Sequence, residues 1–337
     1  MGDPERPSRV DAEESIVTSF TLAELECPFP SMPHPDQAAV ENAVIDWMWK
    51  SGYLVSADDE QAVRNSGIGR LGAWAAPRAD VNGAAMLGNW LVWLFLMDDE
   101  IVEPAAHSGE LEVFAHHALH CRKALYGDPL PEDAGMHLEV LAELRAQLFR
   151  RASNELAVRI TDGINDLMLA LACEAIFQTN SSMPTLSAYS TIRESTVTMR
   201  AVCMAISSVV QNCELPGVLW ARPEIQELER LACRIIGFTH DYYSGPRELE
   251  RNDGSVNFIA VLMEDHRITA QEALDVLAQM NAAETHKFQR LAESIRQAGD
   301  EAVCDFVTVL ERWIRGNYDW SRECGRYRLT DELASAE

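Results

Sequence analysis

The chain has 337 residues, of which 47% are hydrophobic, and a formal net charge of -25. That is enough apolar material for a large buried core. So acidic a surface repels phosphate backbones and anionic lipid, which argues against a nucleic-acid or membrane partner; an anionic substrate would need metal ions or a local basic cluster to reverse the sign at its site.

In chain order, residues 1 to about 35 are polar and contain Pro4, Pro7, Pro28, Pro30, Pro33 and Pro35, which predicts a loose or loop-like lead-in. It has acids and prolines where a signal peptide has a basic start and an apolar stretch. From Gln37 onward apolar residues recur at three- and four-residue spacing. The pattern predicts helices over Ala38–Trp49, Ala84–Met97, Leu111–Leu125, Met136–Phe149, Leu156–Phe177, Leu186–Val210, Ile225–Tyr243, Val256–Met263, Ala270–Gln297 and Ala302–Trp320. The breaks are short and hold Gly or Pro, as at Gly127-Asp128-Pro129, Ser182-Met183-Pro184 and Leu215-Pro216-Gly217. Alternating strand patterns are absent, heptads are not sustained, and no apolar stretch is long enough to span a bilayer. The expected fold class is all-α. One helical domain is expected over residues 31–330, between a flexible N-terminal segment, 1–30, and a flexible tail, 331–337. The eight cysteines include no C-x-x-C pair and no zinc spacing, which suits a reducing, cytoplasmic setting.

Two segments could carry chemistry. In the first, an apolar helix runs into Asp98, Asp99, Glu100 and Glu103. Asp99 and Glu103 are four apart and share a helix face, with Asp98 on its rim. Like charges beside an apolar run are costly unless a cation neutralises them, and clustered hard oxygens suit Mg2+. The plainer alternative is a solvated acidic helix end, although acids there oppose the helix dipole. In the second segment His240, Ser244 and Glu248 are spaced i, i+4, i+8 behind the apolar run Leu231–Phe238. On a continuous helix they form one stripe, roughly 12 Å long at about 1.5 Å per residue. Pro246 complicates the stripe, because it lacks an N–H and crowds the carbonyl four residues back. Either the helix kinks there or a new helix begins.

Taken together and in order, the two segments resemble the metal motifs of microbial class I terpene synthases. Asp98-Asp99-x-x-x-Glu103 is similar to their aspartate-rich motif, DDxx(x)D/E. His240-Asp241-x-x-Ser244-x-x-x-Glu248 is similar to their downstream motif, (N/D)Dxx(S/T)xxx(D/E). Other landmarks fall in sequence: His34-Pro35 and Trp47; Glu174, Tyr189 and Arg193; Asn257; Trp313, Gly316, Asn317 and Trp320; and the closing pair Arg326-Tyr327. The resemblance covers roughly residues 28 to 328. It implies a single-domain helical bundle around a central apolar cavity, with both motifs at its mouth.

The implied chemistry is ionisation of an isoprenyl diphosphate, farnesyl diphosphate before geranylgeranyl diphosphate, followed by cyclisation of the cation to a terpene. Asp98, Asp99, Glu103, His240, Ser244 and Glu248 would hold three Mg2+ ions, with Mn2+ as the other candidate. Arg193, Arg247, Arg326 and Tyr327 would bind the diphosphate. Thr196 is the linker residue by that match, and Val197 supplies a backbone carbonyl that helps trigger ionisation. Trp93, Phe95, Trp313 and Trp320 are candidates for the aromatic wall, along with Trp90, Phe177 and Phe238. A homodimer is a family expectation only. His240 departs from the family, which has Asn or Asp there; imidazole suits Mn2+, Fe2+ or Zn2+ better than Mg2+, and it would ligate or instead hydrogen-bond the diphosphate. The nearest rival, a trans-prenyltransferase, normally carries a second DDxxD motif, which is missing. A non-catalytic helical protein does not account for the ordered landmarks, and a helical metal-oxidation enzyme needs Glu-x-x-His pairs that do not appear.

Overall fold

The structure, a computed structural model, describes residues 21–251 and 254–327. Residues 1–20 of the expected leading segment and the whole expected tail, 331–337, lie outside the described residues. Among those described there is no strand, and no helix is long and apolar enough to cross a membrane. The α-helices are α1 Gln37–Ser51, α2 Ala57–Ser66, α3 Ile68–Ala75, α4 Val81–Met97, α5 Glu103–Ser108, α6 Leu111–Tyr126, α7 Met136–Phe149, α8 Asn154–Thr179, α9 Leu186–Thr196, α10 Met204–Val210, α11 Gly217–Trp220, α12 Pro223–Arg251, α13 Phe258–His266, α14 Ala270–Gln297 and α15 Glu301–Glu323. Two π-helical turns, Asp98–Val102 and Met199–Cys203, interrupt the pattern, and a 3-10 turn, Gly325–Tyr327, ends it.

The long periodic helices stand where their patterns put them; α7 and α14 agree residue for residue. Three differences have physical causes. The run Leu186–Val210 is divided, because Thr198 takes a left-handed φ of 59° and the chain re-enters helix through the second π turn. Helix α2 buries none of its residues, so it has no apolar period to read. It is held by Ser56 Oγ, which accepts from Asp59 N at 3.2 Å, and by Asp58, Asp59 and Glu60 in its first turn. Helix α12 is one helix of 29 residues that passes through Pro246, so no new helix begins there. Gly245 just before it leaves room for Ile259, whose Cδ1 would lie 2.5 Å from an added Cβ.

Helix α3 is short but wedged. A Cβ on Gly72 would meet Ala84 O at 2.6 Å and Gly88 N at 2.8 Å, so α3 and α4 touch backbone to backbone. Around this contact Trp90, Trp93, Trp313 and Phe306 are fully buried. A smaller cluster joins α9, α12 and α13, where the rings of Tyr189 and Phe238 each lie 4.8 Å from that of Phe258, edge on. Residues 21–36 form no helix, yet Leu25 and Phe29 are buried. Arg315 of α15 donates to the carbonyls of Cys27 (3.3 Å) and Phe29 (3.2 Å), which ties this stretch to the bundle. The C-terminal ends of α4, α9, α12 and α15 gather at one end of the molecule, and the chemistry-bearing residues lie there.

Candidate active site

Helix α4 is almost wholly buried up to Met97, and the acids begin where it widens into the first π turn. On an α-helix, residues five apart diverge by about 140°. Here Glu103 N donates to Asp98 O, the i→i+5 bond that brings the two back over one another. Asp98, Asp99 and Glu103 can therefore each offer an oxygen within 4.8 Å of the others. Burial, then the charges of Glu103 and Asp99, push Asp98 up to about 7, against the pull of Arg326 and Arg193. Carboxylates this close are relieved either by a proton, as the raised Asp98 pKa shows, or by a cation.

Across from them, α12 carries His240, Ser244 and Glu248 on one continuous face. Ser244 Oγ lies 3.4 Å from His240 Nδ1, and Glu248 Oε2 accepts from Asn257 Nδ2 at 2.7 Å. Arg193, near the end of α9, is the hub. Its Nη2 donates to Asp241 Oδ1 at 2.5 Å and to His240 Nδ1 at 2.9 Å, and its Nη1 to Thr196 Oγ1 at 3.3 Å. His240 Nδ1 also lies 3.2 Å from Asp241 Oδ1, so Arg193, His240 and Asp241 form one polar group. Burial works against the Arg193 charge, but Asp241, Tyr189 and Glu174 outweigh it, and its pKa stands above the ordinary arginine value. Asp241 is 1% exposed and also accepts from Tyr189 Oη (3.1 Å) and Phe258 N (3.0 Å). Burial would raise its pKa, but Arg193, the contacts with His240 and the Phe258 N–H together reverse this and hold it below the usual value. On the other side of Arg193, Glu174 is pushed up to about 8 by burial, with Arg193 opposing and Asp98 and Asp241 adding. Its Oε2 has no hydrogen-bond partner among the described residues.

The last turn closes the ring of groups. Arg326 grips Asp99 with both terminal nitrogens, at 2.7 and 3.0 Å, and lies over the Phe95 ring at 5.1 Å. Arg247 donates to the carbonyl of Arg326, so it holds this turn against α12. The Tyr327 ring lies 5.3 Å from His240 and 5.3 Å from Trp320, and Trp320 lies 5.9 Å from Phe95. The Tyr327 hydroxyl is buried without a partner among the described residues.

Beneath these groups lies a cavity of about 120 Å³. Leu71, Leu91, Leu94, Leu167, Leu171 and Ile236 supply its apolar walls, with Phe95, Trp313 and Trp320. Asp98, Arg193, Thr196, Val197 and His240 also line it. Four candidates for the aromatic wall are placed elsewhere in the helical stack. Trp90 is fully buried, edge-on to Trp93 at 6.0 Å. Trp93 turns away and donates its indole N–H to His137 O at 2.9 Å, because α7 packs on that face of α4. Phe177 and Phe238 face two other surface hollows. Asp241 was absent from the sequence-based ligand set. The signal that would have found it is the second acid of the downstream motif, which serves here as the counterion of Arg193.

The family model described as terpene synthase family 2, C-terminal metal binding, matches residues 89–287. The chain belongs to this terpene synthase family. The matched span contains both acidic segments and Arg193. This terpene synthase is 25% identical over 311 residues to the 4-epi-cubebol synthase of Streptosporangium roseum, covering 91% of this chain and 92% of that protein. It is 27% identical over 311 residues to the (+)-T-muurolol synthase of Roseiflexus castenholzii, covering 91% and 94%. The fold matches the crystal structure of an a-eudesmol synthase with a TM-score of 0.79, at 23% identity, over 89% of this chain and 99% of that one. The residues present fit a divalent metal: crowded hard oxygens, one of them on a carboxyl whose proton affinity its neighbours raise.

Proposed function

We propose that this terpene synthase takes farnesyl diphosphate, ionises it with three Mg2+ ions (Mn2+ as the alternative), and cyclises the cation to a sesquiterpene with release of diphosphate. The observation that carries the reading is the meeting of Asp98, Asp99 and Glu103 with Arg193, Arg326 and Tyr327 at one end of an apolar cavity. The 4-epi-cubebol and (+)-T-muurolol synthases are both described as cyclising (2E,6E)-farnesyl diphosphate, which supports the substrate.

The bound metal ions supply positive charge that stabilises the leaving diphosphate. Asp98, Asp99 and Glu103 would hold them from α4, and His240, Ser244 and Glu248 from α12. Arg193 and Arg326 bind the diphosphate oxygens as planar forks, exchanging part of their contact with Asp241 and Asp99. Tyr327 offers its unpartnered hydroxyl to the same group. Phe95, Trp313 and Trp320 turn π faces to the allylic cation, and the leucine walls keep water from it. At about 120 Å³ the cavity is smaller than the 300–1,000 Å³ typical of ligand pockets, so a 15-carbon chain enters only as the mouth opens. The Arg326–Asp99 pair is the contact that gives way.

The test is incubation of the purified protein with Mg2+ and, separately, geranyl, farnesyl and geranylgeranyl diphosphate, with extracts analysed by gas chromatography and mass detection. A cyclic C15 product from farnesyl diphosphate is expected. A product from geranylgeranyl diphosphate alone would move the substrate to C20, and no product from any of the three, with Mn2+ also tried, would overturn the reading.

A further inference from the structure

Glu100 is the one acid of the first segment that takes no part in the three-carboxylate group, yet it lies in the middle of the π turn that builds it. Its Oε2 lies 2.9 Å from His137 Nε2. His137 Nδ1 lies 3.3 Å from the hydroxyl of Tyr53, just beyond α1. The Glu100 carboxylate can only accept, so Nε2 of His137 donates to it, while the Tyr53 hydroxyl partners Nδ1. The backbone carbonyl of His137 accepts from Trp93 of α4 at 2.9 Å. His137 therefore anchors α4, its π turn and the end of α1 to the first turn of α7. The His137 side chain is 10% exposed, whereas that of Glu100 is 49% exposed.

We propose that His137 is a positioning residue: through Tyr53 and Glu100 it fixes the π turn so that Asp98, Asp99 and Glu103 face one cation. A π turn is a locally disfavoured conformation that reverts to α-helix unless side chains hold it. Reversion rotates Asp98 away from Glu103. A partner that orients metal ligands from behind typically contributes 10–100-fold to metal affinity. The inference rests on the metal-and-diphosphate reading above.

The experiment compares the wild type with His137→Ala, Glu100→Ala and Glu100→Gln. Two readouts are taken: the rise in Tm on adding Mg2+ with inorganic diphosphate, and the Mg2+ concentration for half-maximal turnover of farnesyl diphosphate beside its KM. Both alanine variants are expected to shrink the ligand-induced rise and to raise the half-activating Mg2+ about tenfold, with KM at saturating Mg2+ changed less than threefold. Glu100→Gln keeps an acceptor for Nε2–H and is expected to recover most of both. A lower Tm for the free alanine variants with an undiminished ligand-induced rise and unchanged Mg2+ requirement overturns the proposal, since a purely structural role predicts that pattern. Should His137→Ala not fold, the half-exposed Glu100→Ala decides alone. No ligand-induced rise in the wild type itself counts against the metal-and-diphosphate reading and removes the inference with it.

Discussion

Replacing Asp241 with Asn tests the electrostatic centre of the site. Asp241 is buried and accepts from Arg193 (2.5 Å), Phe258 N (3.0 Å) and Tyr189 Oη (3.1 Å), so both of its oxygens are engaged. Asn keeps the shape but loses the charge, and it turns one acceptor into a donor aimed at another donor. The Arg193 side chain, 13% exposed, then loses its ionised partner, because Glu174 holds its proton up to about pH 8. Removing one partner of a buried ion pair costs about 3–5 kcal/mol. For a chain of this size that lowers Tm by about 4–7 °C. The pH dependence is specific. The folded-state pKa of Asp241 is depressed, so its contribution is complete above the ordinary carboxylate range and is lost only as pH falls through the lower folded value. The gap in Tm between wild type and variant, measured by circular dichroism, should therefore not narrow from pH 8 down to pH 5; loss of the Asp241 charge also lowers the proton affinity of Glu174, which widens the gap as pH falls. A gap below 2 °C, or one that closes between pH 8 and pH 6, would refute the assignment of Asp241 as the counterion of Arg193.

Asp98→Ala should reduce turnover of farnesyl diphosphate by about 1,000-fold while the helical circular dichroism spectrum is retained, since it removes a ligand on which charge stabilisation depends; near-wild-type turnover in the product assay would sink its role. Gly72→Ala should destabilise the fold by about 1–3 kcal/mol, because its Cβ meets backbone atoms of α4 that cannot swing aside; denaturant titration reads this directly, and an unchanged midpoint would contradict the close approach of α3 and α4. Glu174→Gln should flatten the pH dependence of the metal-free protein. Between 4.5 and about 8 the folded chain keeps a proton on Glu174 that the unfolded chain has lost, so wild-type stability falls as pH rises through that window. The variant lacks this slope, and parallel Tm-versus-pH curves would show that Glu174 is not held protonated.

The fold was legible wherever a helix buries one face along its length. Helices α7 and α14 and most of α1, α6 and α15 follow their apolar period to within a few residues. What escaped were elements whose stability comes from elsewhere. Helix α2 rests on its cap and its dipole, α3 on a glycine contact, and α9 and α10 are separated by a left-handed Thr198 that no residue preference announces, since threonine seldom adopts it. Pro246 misled in the other direction. A proline signals a boundary on average, but here flanking turns buried against α13, α14 and α15 hold the helix together across the missing hydrogen bond.

The site was legible as a set of residue types but not as a set of pairings. Asp98, Asp99, Glu103, Arg193, Arg326 and Tyr327 do converge, as the ordered motifs required, while Trp93 faces α7 because a helix buried all round gives no sign of which aromatic points at the cavity. Nor could the sequence say which charges neutralise which. Around the mouth, Asp98, Asp99, Glu174, Asp241 and Glu248 gather with Arg193, Arg247 and Arg326, more acids than arginines among these described residues. Burial first, and the neighbouring acids after it, raise the proton affinities of Asp98 and Glu174. On the proposed function, metal ions would offset these acids without protonation, and the diphosphate bound with them would then compete for Arg193 and Arg326. On this reading, the same charge imbalance that burdens the empty site draws metal and substrate in together. The dependence of thermal stability on Mg2+ and diphosphate should then be synergistic: each alone raises Tm less than half as much as both, and additive shifts would argue that the two bind independently.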